Sequence, residues 1–252
     1  MKRRTFFMCL AGTTAAGLTG WNLKSAMRSG RQGGRMARVI RRSHGLGAAI
    51  NLTVFHPDKA VANRAIDDAL GEINRIESVM SLYRPDSQIN QLNKRGILNN
   101  PDPALLEVLA MATTLSKQTQ GAFDITVQPL WQVYYARARN GTLPDKRALE
   151  AAVAKVDWRR VRTEEGRVRL DGNGTQITLN GIAQGFAADA VARVLRSHGI
   201  ENALIDTGEI NTVGHHVDKE DWTVGIKHPR TPTDFISLAS LSGRCLATSG
   251  DY

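Results

Sequence analysis

The sequence predicts an α+β fold, on three observations. Its 252 residues are 42% hydrophobic and 23% charged, enough apolar material for a globular core. Runs with helical three-to-four spacing are interleaved with short alternating runs. Those two kinds of run do not alternate regularly, as a doubly wound parallel sheet would require.

The elements follow in order. Ala48, Ile50, Leu52 and Val54 alternate with Ala49, Asn51 and Thr53, which marks a half-buried strand. Pro57-Asp58 then opens a helix carrying Val61, Ile66, Ala69, Leu70, Ile73, Ile76 and Met80 on one face. Ser81 to Ser87, with Pro85, breaks it. A second helix runs from about Pro103 to Gln118 and stops at Gly121-Ala122-Phe123-Asp124, and Ile125 to Trp131 begins a further element. Asp145 to Val156 reads as a short helix. Arg160 to Asp171 and Gln176 to Leu179 read as a hairpin turned at Asp171-Gly172-Asn173-Gly174. A helix over 183–197 ends at Gly199, and Ala203-Leu204-Ile205, Trp222 to Ile226 and Phe235 to Leu241 complete the strands.

The net charge of +9 is unevenly spread. Ten of the 33 Lys and Arg lie in residues 1–42, which hold no Asp or Glu, so the rest carries 23 basic against 24 acidic side chains. That distribution argues against a folded basic face for nucleic acid. Lys2-Arg3-Arg4, then Thr5-Phe6-Phe7 and a short apolar stretch, is the pattern of a twin-arginine export signal over residues 1–23. It predicts a periplasmic protein, associated with the inner membrane through an uncleaved signal or through its partner. Residues 24–42, rich in Arg and Gly, read as a basic linker, and 43–252 as the folded domain. No run of eighteen apolar residues is present, and Cys9 and Cys245 are too few for a disulfide framework.

The stretch most suggestive of chemistry is Ile177 to Asp189, where an apolar run meets Asn180-Gly181 and a helix follows at once. Helix N-termini offer unpaired N–H groups and partial positive charge to phosphate. Gly181 would admit a ligand to the backbone, and Gly185 would let the helix pack closely on a neighbour. The spacing is not Gly-x-Gly-x-x-Gly. Glycine strand-to-helix turns are common, so both a phosphate site and a plain turn stand open on these residues alone.

Four segments taken together resemble the FAD:protein FMN transferases (the ApbE-type family). Met80 to Asn93 is similar to that family's Met-Ser-x-Tyr…Asp-Ser-x-Ile…Leu-Asn signature, and Gly121 to Leu130 to its Gly-x-Phe-Asp-x-Thr-x-x-Pro-Leu box. Asn180 to Phe186 resembles Gly-Ile-Ala-Lys-Gly-Tyr, and Ala247 to Tyr252 resembles Ala-Thr-Ser-Gly-x-Tyr. Leu179 to Gly185 with Asp206 to Ile210 looks closest to the NosX-type branch of nitrous-oxide respiration.

The resemblance implies a flavin-transferase-like α+β domain that cleaves FAD, attaches FMN to a Thr or Ser of an acceptor flavoprotein, releases AMP and uses Mg²⁺. It implies flavin-side contacts at Leu46, Tyr83, Ala122, Phe123 and Asp124. Thr178 falls at a polar adenosine contact, Gln184 near the flavin phosphates, and the Gly181 carbonyl on the metal. Without the family, Tyr83 reads equally well as a helix-end aromatic and Asp124 as a helix cap. Gln184 stands where the family usually has Lys, and Thr178 where Asp is common. The family's His-bearing segment and Asp-x-x-x-Thr motif would follow Tyr252. The resemblance therefore implies a domain incomplete at its C-terminal part, and, as the alternative function, a catalytically impaired FAD-binding maturation factor.

Overall fold

The computed structural model describes residues 36–138, 141–231 and 233–248. The export signal expected over 1–23 lies outside the described residues, as do the last four residues of the Ala247 to Tyr252 box.

The chain enters through a hairpin. β1 (Ala37–Gly45) and β2 (Ala48–His56) pair antiparallel along their whole length, from Ala37 opposite His56 to Gly45 opposite Ala48. The turn is Leu46-Gly47, with φ of 53° and 75°, the left-handed pair that a two-residue hairpin demands. Leucine at such an angle costs roughly 1 kcal/mol. The Leu46 N–H donates to the Glu77 carboxylate at 3.0 Å and its side chain packs against two core clusters, which offsets that strain. The linker reading of residues 24–42 is thereby corrected, because Ala37 to Arg42 are strand and the folded domain begins before residue 43. Pairing with β2, a tertiary effect, makes a strand of this arginine-rich run.

α1 (Lys59–Met80) follows, capped by Asp58, whose carboxylate accepts the Ala60 N–H at 2.7 Å. Its buried face is Ala62, Ala65, Ile66, Ala69, Ile73, Ile76, Val79 and Met80; five of the seven predicted stripe residues are among them, while Val61 and Leu70 lie half-buried at the margin. Fully burying each Ile contributes about 1.5–3 kcal/mol. α2 (Gln88–Arg95), β3 (Ile97–Asn99), α3 (Pro103–Gln118), α4 (Gln128–Ala138) and α5 (Lys146–Val153) come next. β4 (Val161–Glu164) and β5 (Arg167–Leu170) then lead to α6 (Ala183–Ser197), β6 (Asn202–Asp206) and β7 (Ile210–Val213). β8 (Trp222–Lys227), β9 (Phe235–Leu241) and β10 (Cys245–Leu246) end the described chain.

The main sheet has the order β1-β2-β6-β7-β10 and is antiparallel throughout. α1 and α6 cover one face, closing a core of Ile50, Leu52, Val54, Ile66, Val191, Leu195 and Ile205. The β8–β9 hairpin packs on the other through Phe55, Leu204, Trp222 and Val224. A third core joins the C-terminal half of α1 to α2, α3 and residues 168–190. Mixed helices and antiparallel strands in layers make this an α+β fold, as predicted.

The expected hairpin around Gly172 and Gly174 is displaced. β4 and β5 turn at Glu165-Gly166, with Glu164 opposite Arg167, and residues 176–179 join no strand ladder. Glycine with φ near 68° at position 166 satisfies the tight turn.

Candidate functional site

Four loops converge at the N-terminal end of α6. The first is Ser81 to Ser87, between α1 and α2. Ser87 caps α2 and its hydroxyl donates to the Ser81 carbonyl at 2.7 Å. The Asn90 amide donates to the carbonyls of Leu82 at 3.1 Å and Arg84 at 2.7 Å. These side chains hold the loop in a shape that leaves Tyr83 58% exposed. A β-carbon at Gly47 would stand 3.5 Å from the Tyr83 ring, so the β1–β2 turn and this loop touch, with Leu46 half-buried beneath them.

The second loop is Gly121 to Asp124. Its Phe123 is half-buried, and the Phe123 N–H donates to the Thr119 hydroxyl at 3.0 Å. Asp124 is fully engaged in structure. One carboxylate oxygen accepts the Thr126 N–H at 2.8 Å and hydroxyl at 2.6 Å, and the other accepts the Trp158 N–H at 2.9 Å. Of its two sequence readings, the cap is the one the geometry displays. Ala122 is exposed beside them.

The third is the entry to α6. The Thr178 N–H donates to the Ile125 carbonyl at 2.8 Å, which lays this segment against the second loop. Ile182 and Ala183 N–H both turn back to the Leu179 carbonyl. Gly181 is exposed, and a β-carbon there would meet only Phe123, at 3.8 Å. Side chains of Asp58, Ser87, Asp102 and Asp145 cap α1, α2, α3 and α5, whereas no side chain caps α6 and its first turn carries no acid. An uncapped N-terminus beside an exposed glycine suits an anion. Gly185 is exposed with open space around its α-carbon, which corrects the expectation that it packs the helix on a neighbour.

The fourth loop, Asp206 to Glu209, reaches the same end. Gly208 has φ of 94°, and a β-carbon on it would lie 3.0 Å from the Gln184 amide nitrogen and 3.1 Å from the Ala48 methyl. Asp206 is buried, taking hydrogen bonds from the Asn51 amide at 3.1 Å and the Gly208 N–H at 3.2 Å, and burial pushes its carboxyl up from the usual range. Burial likewise raises Glu209, helped by the Asp206 charge and opposed by the Thr248 N–H. One Glu209 carboxylate oxygen is buried with no partner. Thr248 belongs to the last of the four sequence boxes, so that box meets this loop.

The structure thus sets Phe123 against Gly181, Tyr83 against the Leu46-Gly47 turn and Gln184 against Gly208, with Thr178 bonded to the second loop through Ile125 and Ala122 exposed beside Phe123; together these loops form one rim. Reading residues one by one misses Glu77, Asn90 and Gly208, which shape that rim. Asn90 sits inside the first box, and that was its available signal. Exposed Tyr83, half-buried Phe123, exposed Gly181 and an open helix terminus form a surface whose chemistry suits a phosphate-bearing ligand. Among the described residues the donors do not suffice to hold Mg²⁺. The Gly181 carbonyl is one neutral oxygen, and among the described residues no group of three His, Cys, Asp or Glu stands together. Two grooves, of about 550 Å³ between α4 and α5 and about 490 Å³ between α1, α3 and α6, lie away from the rim.

Fold and site define an α+β domain whose loops meet at the open N-terminal end of α6. The ApbE family's sequence profile matches residues 46–252, and the chain belongs to that family. It is 26% identical over 205 residues to the FAD:protein FMN transferase of Haemophilus influenzae, covering 77% of this chain and 59% of that protein. It is 30% identical over 204 residues to the FAD:protein FMN transferase of Vibrio cholerae, with the same coverages. Among solved structures it is similar to the flavin transferase ApbE from Vibrio cholerae, with TM-score 0.76, 25% identity, and 86% of this chain and 72% of that one covered. The Thermotoga maritima apbe protein superposes with TM-score 0.77 at 26% identity, covering 86% and 71%. The chain spans about three-fifths of the length of the curated relatives it matches.

Proposed function

We propose that this protein transfers FMN from FAD to a Thr or Ser hydroxyl of an acceptor flavoprotein. In that reaction the acceptor oxygen bonds to the phosphorus bearing FMN, and the bond from that phosphorus to the AMP oxygen breaks. AMP leaves and the hydroxyl proton is lost. The observation that carries the reading is the meeting of the first three boxes near the uncapped end of α6, with Thr248 of the fourth bonded to Glu209 in the neighbouring loop.

There the helix N–H groups would face the pyrophosphate with partial positive charge, and Gly181 would let it approach the backbone. Tyr83 and Phe123 would supply aromatic contact to the flavin. Gln184 offers a neutral amide donor where the family usually has a cation. The Mg²⁺ requirement belongs to the same proposal and rests on the family resemblance. An acceptor in nitrous-oxide respiration rests on the same resemblance, and export to the periplasm on the Lys2-Arg3-Arg4 run and the apolar stretch after it.

The test mixes the full chain with FAD and a Thr-bearing acceptor, with and without Mg²⁺. We expect FAD binding, acceptor mass increased by one FMN, and equal AMP released. A protein that binds no FAD would overturn the reading. One that binds FAD but releases no AMP in any condition would be a flavin-binding factor instead. Replacing Arg3 and Arg4 by lysine should hold the precursor in the cytoplasm.

A further inference from the structure

β1 is an edge strand of the main sheet, and its two faces differ in chemistry. On the helix-covered face, Val39 is buried and Arg41 is satisfied by Asp67 at 3.0 Å and Asn63 at 3.2 Å. On the other face Arg38, Ile40, Arg42 and His44 follow one another at alternate positions, all exposed. Among the described residues the side chains of Arg38 and Arg42 have no hydrogen bond or ion pair, and Ile40 between them is 47% exposed. Their cross-strand neighbours on β2 are Phe55, Thr53, Asn51 and Ala49, with no acid among them.

We propose that this face of β1 is a docking surface for an anionic phospholipid bilayer. Four residues of strand separate Arg38 from Arg42 by about 13 Å, too far for one phosphate to bridge. The spacing suits a surface of many separate anions. Ile40 selects lipid among polyanions, since an exposed branched apolar side chain gains by entering the acyl boundary and gains nothing from a nucleic-acid backbone. Sequence charge points the same way, because residues 24–42 hold seven Lys or Arg and no acid. Basic residues near an anionic bilayer each strengthen its attraction, and a polybasic patch serves as one of the two signals stable anchoring needs. Charges on an edge strand also discourage pairing with another sheet, but that role calls for no exposed isoleucine between them.

The test uses the full chain and sedimentation with vesicles of phosphatidylcholine alone or with one-third phosphatidylglycerol. It involves no flavin, so its outcome is independent of the transferase reading. Binding should require phosphatidylglycerol and weaken in high salt. Arg38→Gln with Arg42→Gln should lower the partition coefficient about tenfold or more. Ile40→Asn should lower it a few-fold while leaving its salt dependence unchanged. Arg41→Gln removes the same charge from the opposite face and should leave binding within about twofold. Circular dichroism checks that each variant is folded. Any contribution of the N-terminal apolar stretch is common to all variants and appears as binding to phosphatidylcholine. The proposal is overturned if Arg41→Gln weakens binding as much as Arg38→Gln or Arg42→Gln alone, or if phosphatidylglycerol adds nothing. It is also overturned if duplex DNA binds as tightly and Ile40→Asn changes nothing, which would make the stripe a nucleic-acid surface.

Discussion

Asn93 and Ile177 share a reciprocal pair of hydrogen bonds across 84 residues of chain. The Asn93 amide nitrogen donates to the Ile177 carbonyl at 2.8 Å, and its oxygen accepts the Ile177 N–H at 2.7 Å. One side chain of α2 thus replaces the strand neighbour that residues 176–179 lack. It secures the segment leading into Gly181, where Ile177 and Leu179 are fully buried.

Asn93→Ala would leave a buried donor and acceptor unmet, at a cost of about 2–3 kcal/mol. Asn93→Asp keeps the acceptor alone and should fall between wild type and alanine. Urea unfolding monitored by tryptophan fluorescence measures both. A loss below about 0.5 kcal/mol in Asn93→Ala would mean the segment is held by its apolar side chains instead.

Asp124 invites a prediction that separates support from contact. Asp124→Ala removes three hydrogen bonds and should destabilise by about 2–3 kcal/mol, with weaker FAD binding because Phe123 loosens. Asp124→Asn keeps the bonds to Thr126 and loses the one from Trp158, so about 1 kcal/mol is expected. Phe123→Ala should weaken FAD binding about tenfold while leaving the cap intact. Titration of flavin fluorescence checks all three. If Asp124→Asn impairs FAD binding more than Phe123→Ala does, the carboxylate itself meets the flavin.

These residues also show what was legible in the sequence. α1 was, because an unbroken apolar stripe and the Asp58 cap speak locally. α2 was not, since eight mostly polar residues with only Ile89 and Leu92 buried are too short to display a period. β1 was hidden by its arginines, and only its pairing with β2 makes it a strand. The boxes pointed to Phe123 and Gly181, which the fold sets 3.8 Å apart, measured from a β-carbon placed on the glycine. That the Asp124 carboxylate is occupied was illegible, because its partner Trp158 lies 34 residues away. Gly185 misled because a glycine in a helix signals close packing as readily as it signals nothing.

Asp206 and Glu209 predict a slope of stability with pH. Both carboxyls are raised by burial, so the folded chain holds their protons to higher pH than the unfolded chain does. Their contribution is most favourable below the ordinary carboxylate range near pH 4 and is lost as pH rises through the raised folded values. Glu209→Gln should flatten that slope and raise stability near neutrality. Asp206→Asn should do the same once Asn51 turns its amide to face the new donor. Urea midpoints from about pH 4 to 8 test this against wild type. A slope unchanged in both variants would assign the pH dependence to other groups.

Gly208 and Gln184 allow the rim to be tested as a coupled unit. Gly208 holds φ of 94°, where alanine is strained by about 1–2 kcal/mol, and its new methyl would stand 3.0 Å from the Gln184 amide nitrogen and 3.1 Å from the Ala48 methyl. Ala48 begins β2 and cannot retreat, whereas the far end of Gln184 can swing away. Gly208→Ala should therefore destabilise modestly and also move the amide that the proposed function sets toward the flavin phosphates, weakening FAD binding. Gln184→Ala should leave stability within about 0.5 kcal/mol and weaken FAD binding by the worth of one hydrogen bond, about 0.5–1.5 kcal/mol. Because the glycine acts through the amide, the two effects on binding should not add. In the Gln184→Ala background, Gly208→Ala should cost stability through its backbone but little further affinity. Calorimetric FAD titrations of the two single variants and the double variant close the cycle. Full additivity in binding would show that Gly208 serves the site through its own backbone, with Gln184 a bystander.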